Sequence, residues 1–381
     1  MKILITGSNG FIGKNLSMHL NEYKEHTIFY FKRGDSIDRL NSYINDIDFI
    51  FHLAGENKPL NNNSFQSGNV DLTKSLCDFI VHAGKSIPIV FSSTRHANFE
   101  EKDPSDLITS YAKSKLSAED ILQSYSKKTR ASIYIYRLPG VFGKWSKPNY
   151  NSVVATFCYN IANELPLQIN DNNKTVSLVY IDDLIKSFIS LLSNKSDSFQ
   201  FETVTPEYSI SLSKLANTIS DFALMRNNNL ISNVGVGLIR ALYSTYISYL
   251  PKNSFSYKIP FVEDTRGIFS EFLKTNNAGQ ISFFTAHPGV TRGEHYHHSK
   301  VEKFLVINGN ALFNFRNILT DETYEILTEA KTPQVVETIP GWAHNIKNIG
   351  TEDLIVILWA NELFNKDVPD TFHSMVKKIE S

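Results

Sequence analysis

KILITGSNGFIG, Lys2 to Gly13, decides how the first half of the chain is built. An apolar run of strand length ends in Gly7-Ser8-Asn9-Gly10-Phe11-Ile12-Gly13, a GxxGxxG turn, and a helical pattern opens at Phe11. Glycine lets the backbone turn tightly and lets a pyrophosphate sit on the helix N-terminus, where free N–H groups point outward. Such a glycine pattern is weak alone; its place in the first strand-turn-helix is the context a dinucleotide site requires. About 20 residues further on, where NAD enzymes place an acid on the ribose hydroxyls, the second strand ends in Lys32-Arg33. A cationic pair there suits the 2′-phosphate of NADP, with Asp35 as the competing reading.

Outward from that turn, short apolar runs alternate with helical patterns, the signature of parallel βαβ units. Strands are expected at Lys2–Thr6, Thr27–Phe31, Phe49–Leu53, Ile87–Ser92, Ser132–Arg137 and Val176–Tyr180. Helices are expected at Phe11–Leu20, Asp71–Val81, Tyr111–Ser124 and from Asp182. Leu230 to Leu250 reads as an amphipathic helix packed on a neighbour, because Arg240 and several Ser, Thr and Asn interrupt its apolar run. After Pro251 the pattern changes to many short strands with turn signals, such as Gln280–Phe284, Phe304–Ile307, Ala311–Phe315, Gln334–Thr338 and Leu354–Trp359. The change divides the chain into an α/β domain over 1–250 and an antiparallel barrel over 251–381.

Length agrees, since 381 residues exceed what one core usually supports. A net charge of -1 and the lack of any basic run give no footprint for nucleic acid. Two distant cysteines, Cys77 and Cys158, fit a reducing cytoplasm. MKILIT is too short for a signal peptide, and no apolar run is long enough to enter a membrane, so a cytoplasmic location is expected.

Two clusters carry chemistry. Phe91-Ser92-Ser93-Thr94 ends the fourth strand, and Tyr111 and Lys115, four apart, project from one helix face. A phenol is a poor acid at neutral pH; a neighbouring ammonium favours phenolate and makes proton exchange with a carbonyl oxygen feasible. A hydroxyl from Ser93 or Thr94 could hold the same carbonyl. A Tyr-x-x-x-Lys pair is common by chance, but here it follows the glycine turn and the strand ending His52-Leu53-Ala54-Gly55. The second cluster lies in Gly289–Gly309, where His295 and His297 share a strand face and Glu302 follows. With His344 from Pro340-Gly341-Trp342-Ala343-His344, these side chains make a divalent-metal shell. His287 and His298 are expected to be outer or surface residues.

On Gly7/Gly10/Gly13, His52–Gly55, Thr94, Tyr111/Lys115 and Tyr180-Ile181-Asp182-Asp183, residues 1–245 resemble the extended short-chain dehydrogenase/reductase family. That resemblance implies a Rossmann-like fold, a parallel sheet with helices on both faces. It also implies a nicotinamide cofactor held by Gly7, Asn9, Gly10, Phe11, Ile12, Gly13, Lys32, Arg33, Leu53, Ala54, Gly55 and Lys115. Tyr111 would be the acid, with Lys115 and Thr94 beside it and Arg137 on a nucleotide-sugar substrate. Thr94 stands where serine is commoner, and Arg137–Gly143 follows the family's RxxNxYG loop only loosely. From about Ile259 the chain resembles a cupin, a double-sheet jelly-roll barrel: Gly289-x5-His295-x-His297-x4-Glu302-x6-Gly309 matches the first motif at every spacing. Pro340-Gly341-x-x-His344-x3-Asn348 resembles the second, one residue short. The resemblance makes His295, His297, Glu302 and His344 the ligands of a metal that Zn²⁺ suits, with Fe, Mn and Ni open. Asp264–Glu271 is similar to the DxRGxFxE stretch of cupin-type deoxysugar epimerases, where the arginine, here Arg266, contacts substrate.

The union of both parts, with Trp145–Ser152 and Tyr243–Pro251, is similar to the bifunctional capsular-polysaccharide enzymes that fuse a reductase to a cupin. It implies a homodimer on the route to UDP-N-acetyl-L-fucosamine. The cupin would epimerise C3 of a UDP-linked 4-ketosugar and the reductase would deliver hydride from NADPH to C4. The alternative is a reductase of another nucleotide-linked ketosugar whose cupin only dimerises.

Overall fold

The computed structural model describes residues 1–57, 63–98, 106–193 and 198–377. Its contacts divide the chain into two units, 1–220 with 235–251, and 221–234 with 252 onward.

In the first unit the strands are β1 (Lys2–Thr6), β2 (Thr27–Phe31), β3 (Phe49–His52), β4 (Ile89–Thr94), β5 (Ile133–Leu138), β6 (Gly140–Phe142), β7 (Thr175–Tyr180), β8 (Phe199–Glu202) and β9 (Tyr208–Ser211). Six of them form a parallel sheet in the order β2-β1-β3-β4-β5-β8. All residues of β3 and β4 are buried, which requires helices over both faces. Leu4, Ile50, Ile89, Ile133 and Ile135 meet Leu76, Ile80 and Leu122 of the covering helices in one core. Because β2 and β3 flank β1 on opposite sides, strand order reverses there, and open α/β sheets bind ligands outside the strand ends at such a point.

The second unit holds β10 (Leu230–Ile231), β11 (Val262–Asp264), β12 (Gly267–Thr275), β13 (Gly279–Ala286), β14 (Thr291–Tyr296), β15 (Glu302–Asn308), β16 (Asn310–Asn317), β17 (Thr323–Glu329), β18 (Val335–Glu337), β19 (Trp342–Asn348), β20 (Leu354–Ala360) and β21 (Phe372–His373). One sheet runs β10-β12-β13-β20-β15-β18, with β11 on β12; the other runs β17-β16-β19-β14-β21. Phe284, Phe304, Val306, Phe313, Ile346 and Val356, from both sheets, fill the space between them, giving the double-sheet barrel.

Leu230 to Leu250 is not one helix. Leu230–Ile231 pairs in parallel with Lys274–Thr275, and the helix begins only at Gly237, whose φ of 57° breaks helical continuity. Asn229 donates to Glu271 O at 3.0 Å, so the 221–234 excursion is pinned by backbone pairing rather than by an apolar pattern.

Candidate functional site

The glycine turn packs against the exit of β3. Gly7 has φ 69°, and a Cβ there would fall 2.6 Å from Ala54 N; one on Gly13 would fall 2.3 Å from Gly7 O. Both positions therefore demand glycine. Leu53 N donates to Thr6 O at 3.2 Å and Ala54 N to Thr6 Oγ1 at 3.2 Å, fixing the second wall. The Phe11–Glu22 helix starts at Gly10 with no capping side chain, so the N–H groups of its first turn keep their donors available. Ser8 Oγ is buried beside them without a partner, and Asn9 is exposed at the mouth. A hydroxyl and N–H groups left unfilled beside two side-chain-free glycines fit a diphosphate.

At the end of β2, Lys32 and Arg33 are exposed, and Arg33 pairs with Glu56. Asp35 accepts from Lys32 N and from Arg39 Nη1, each at 2.8 Å. Both of its oxygens thus accept from within the protein. His52 is buried and neutral, bridging Thr6 Oγ1 and Thr73 Oγ1 at 2.7 and 2.9 Å; burial drives its pKa down to about 3.

Tyr111, Lys115 and Glu119 rise along one face of the Asp106–Thr129 helix. Expected tuning of Tyr111 by Lys115 is not what the folded chain displays. Burial pushes the Tyr111 phenol up to about 12, its ring lying 5.8 Å from that of Phe65. The Lys115 ammonium donates to Ser92 O at 2.8 Å and sits 4.5 Å over the Phe91 ring. Burial lowers its pKa to about 8, against the upward pull of Glu119. Desolvation sets the direction of the phenol's shift, opposite to the one argued from spacing. Lys115 Nζ also lies 3.0 Å from where a Cβ on Gly55 would stand, so Gly55 keeps the lysine beside the β3 exit.

Ser93 and Thr94 separate by their partners. Ser93 donates to the buried Glu119, whereas Thr94 Oγ1, among the described residues, accepts a 3.4 Å contact from His96 N and donates to none. Arg137 forms a bidentate pair with Glu119 and stacks 4.5 Å over Phe201, so much of its fork is occupied. Glu119 went unnoticed in the sequence although it continues the 111, 115 spacing by one more turn.

In the second unit, His295, His297, Glu302 and His344 bring ligand atoms within 4.8 Å of one another. His295 sits on β14 opposite His344 on β19, while Glu302 opens β15 in the other sheet. A bulge between Gly293 and His295, with Glu294 at φ 62°, turns β14 at this point. Glu302 Oε2 lies 3.2 Å from His297 Nε2 and 3.5 Å from His344 Nε2, which is buried without a hydrogen bond. His297 Nδ1 meets Asp370 O at 2.6 Å, and His344 Nδ1 meets Trp342 O at 3.3 Å. A carbonyl can only accept, so each holds a proton on Nδ1 and turns Nε2 towards the cluster. Burial, then His344, takes His295 down to about 4, so its imidazole is neutral at pH 7. Burial opposes ionisation of Glu302, yet His297 and His344 hold its carboxyl well below the usual range. Three imidazoles, one carboxylate and a ring nitrogen buried without a hydrogen bond fit a divalent cation.

His295, Glu302 and His344 open into a cavity of about 330 Å³ that Arg266, Arg292 and Lys300 also line. Arg266 pairs with Asp264 at 2.5 Å and stays about half exposed. Arg292, which sequence reasoning passed over, donates Nε to Thr285 O at 2.9 Å, and its buried Nη2 lies 3.8 Å from Asp264 Oδ1 without a hydrogen bond. His287 is exposed against Asp353, and His298 is exposed with its ring against Phe372.

Residues 3–205 match the family model described as NAD dependent epimerase/dehydratase family, and residues 262–372 match the polysaccharide biosynthesis C-terminal domain. A UDP-2-acetamido-2,6-beta-L-arabino-hexul-4-ose reductase of Pseudomonas aeruginosa is 48% identical over 372 residues, 98% of each chain. The crystal structure of the capsular polysaccharide assembling protein CapF from Staphylococcus aureus superposes with a TM-score of 0.90 at 37% identity, over 99% of this chain and 100% of that one. CapF with the inhibitor 3-isopropenyl-tropolone gives 0.84 at 34% identity, over the same shares. No helix among the described residues is long and apolar enough to cross a membrane. The chain belongs to the NAD-dependent epimerase/dehydratase family, among the CapF-like enzymes in which that domain precedes a polysaccharide-biosynthesis C-terminal domain.

Proposed function

We propose that this chain is a bifunctional UDP-sugar enzyme working as a cytoplasmic homodimer, with an NADPH-binding reductase over 1–250 and a metal-binding epimerase over 251–381. The second domain epimerises C3 of a UDP-2-acetamido-2,6-dideoxy-4-ketohexose. The first then reduces C4 to UDP-2-acetamido-2,6-dideoxy-L-talose, the precursor of UDP-N-acetyl-L-fucosamine for surface polysaccharide. Support comes from the ketohexose named for the Pseudomonas relative and from CapF's role in capsule assembly. The observation that carries the two-step reading is the cavity beside the His/Glu cluster: about 330 Å³ suits a small ligand, which a closed structural metal site would not need.

When bound, NADPH supplies the hydride and the divalent ion, for which Zn²⁺ fits the donor set, supplies positive charge beside the ketosugar. Gly7, Gly10, Gly13 and Ser8 would cradle the cofactor diphosphate, with Lys32 and Arg33 on the 2′-phosphate. Leu53, Ala54 and Gly55 form the wall at which Lys115 is held. Tyr111, kept protonated by burial, gives its proton to O4 as C4 is reduced. Thr94 donates its free hydroxyl to the same oxygen, and Lys115 stabilises the phenolate left behind. Arg137 borders the sugar from its Glu119 pair. In the second domain, His295, His297, Glu302 and His344 hold the ion, and Arg266 contacts the substrate from the cavity wall.

Incubating the full chain with the 4-ketosugar in D₂O without NADPH should place deuterium at C3, read by NMR. Adding NADPH should give the 4-hydroxy product. Reduction without any exchange would leave the second domain a non-catalytic dimerising module, and a preference for dTDP- or GDP-ketosugars would move the substrate reading.

A further inference from the structure

Outside the cavity, the last described stretch of chain closes over the back of the His/Glu cluster. Asp370 has φ 38°, a left-handed conformation that Asp and Asn tolerate better than most residues. Its carboxylate gathers the turn between two cluster residues: Oδ1 accepts from His298 N at 2.9 Å, and Oδ2 accepts from Ser299 N and Lys300 N at 2.8 Å each. Ser299 Oγ donates to the same Oδ2 at 2.9 Å. The backbone oxygen of Asp370 takes the Nδ1 proton of His297 at 2.6 Å. One residue therefore fixes both the tautomer of His297 and the turn that sets its spacing to Glu302.

Neighbouring contacts hold the clamp in place. Lys300 Nζ donates to Thr371 Oγ1 at 2.9 Å, and β21 pairs with β14 so that His373 lies opposite His295. Glu294 accepts from Val376 N at 2.7 Å through its carboxylate and from Ser374 N at 2.9 Å through its carbonyl. Arg316 donates to Met375 O at 2.9 Å and to Ser374 Oγ at 2.9 Å. Asp370 therefore acts on the cluster from outside it, directly on the His297 ring and, through the turn at 298–300, on the spacing to Glu302.

We infer that Asp370 is the positioning residue of the metal centre, with segment 369–376 acting as a strap that sets ligand geometry. The inference rests on the metal reading of the cluster. Outer-shell partners of metal-bound imidazoles commonly account for roughly 10–100-fold in metal affinity. Asp370→Gly removes the carboxylate while accepting the left-handed backbone; Asp370→Asn keeps that backbone preference and one acceptor oxygen. Zinc affinity of the full chain, measured against a chromogenic chelator, should fall roughly 10–100-fold in the glycine variant and by less in the asparagine variant. The absorption spectrum of Co²⁺-loaded protein should change with it, reporting altered ligand geometry. Unfolding of the metal-free variants gives the control. Lower metal-free stability with unchanged zinc affinity and Co²⁺ spectrum assigns Asp370 a purely architectural role and overturns the inference, as does wild-type behaviour of both variants. Wild-type protein that takes up no zinc removes the metal reading itself, a result distinguishable from failure of the variants alone.

Discussion

The two sites use buried charge in opposite ways. In the reductase unit the charged groups around the site are held within the protein: Glu119 holds Ser93 and Arg137, Asp35 holds Arg39, and Lys115 rests on Ser92 O and Phe91. What is left unfilled is backbone and hydroxyl, the glycine turn and Ser8, which suits a ligand that brings its own negative charge. In the barrel unit a carboxylate and three imidazoles converge, and His344 Nε2 is buried without a hydrogen bond. That arrangement fits a divalent cation. The first site thus offers hydrogen-bond donors to an anionic ligand, whereas the second gathers acceptors.

The largest test of this contrast removes one atom from the first site. Tyr111→Phe deletes the proton that O4 must receive, and general acid catalysis of this kind is worth about 10²–10⁴-fold. NADPH oxidation with ketosugar should fall by about 10³-fold, while C3 deuterium exchange continues at the wild-type rate. Parallel loss of both activities would join the sites into one. The reciprocal change is His344→Ala. If His344 binds the ion as proposed, its loss should weaken zinc binding by more than the roughly 100-fold ceiling of outer-shell losses and abolish exchange. NADPH turnover on a C3-epimerised substrate should be unaffected.

Legibility in the sequence follows the same division. The glycine turn, β1 and β2 were readable to the residue, because their signals are local: an apolar run, a turn only glycine can make, and an opening helix. Motif spacing also marked the cluster residues, whose ligand atoms meet; β14 ends at Tyr296, however, so His297 lies past the strand that alternation assumed, and the pairing of β14 with β19 brings in His344. Partner choice was not. Glu119 lies one helical turn beyond Lys115, yet nothing local says that it captures Ser93 and Arg137 from two neighbouring strands. Asp370 is separated from His297 by 73 residues, and no pattern marks a carboxylate destined for three backbone N–H groups. The direction of the Tyr111 shift failed for a related reason: spacing gives proximity, whereas desolvation depends on what the whole fold packs around the phenol.

Lys115 offers a smaller effect with a definite sign. Burial sets its pKa to about 8, below its ordinary 10.5, while Tyr111 stays protonated to about 12. The alkaline limb of kcat/KM for reduction should therefore fall near pH 8 and report the lysine. Lys115→Arg should carry that limb to higher pH. Unfolding is not the cause of the limb: between pH 8 and 10.5 the unfolded chain binds more protons at this lysine than the folded one. That difference raises stability by up to about 1.4 kcal/mol per pH unit over the window. A limb that tracks loss of folded protein instead would remove Lys115 from the mechanism.

The smallest expected effect concerns cofactor choice. Arg33 is 80% exposed and pairs with Glu56, so its attraction for a 2′-phosphate acts through water and salt. Arg33→Ala should lower affinity for NADPH relative to NADH by about fivefold, equivalent to about 1 kcal/mol, the upper range for an exposed ion pair. Lys32 remains in the variant, and Asp35 remains occupied by Lys32 N and Arg39, so the preference should shrink without reversing. Raising ionic strength should narrow the wild-type preference in the same direction, because both changes weaken one screened contact. An equal fall for the two cofactors would mean that Arg33 meets the shared diphosphate or ribose, and the 2′-phosphate would then need another partner at the end of β2.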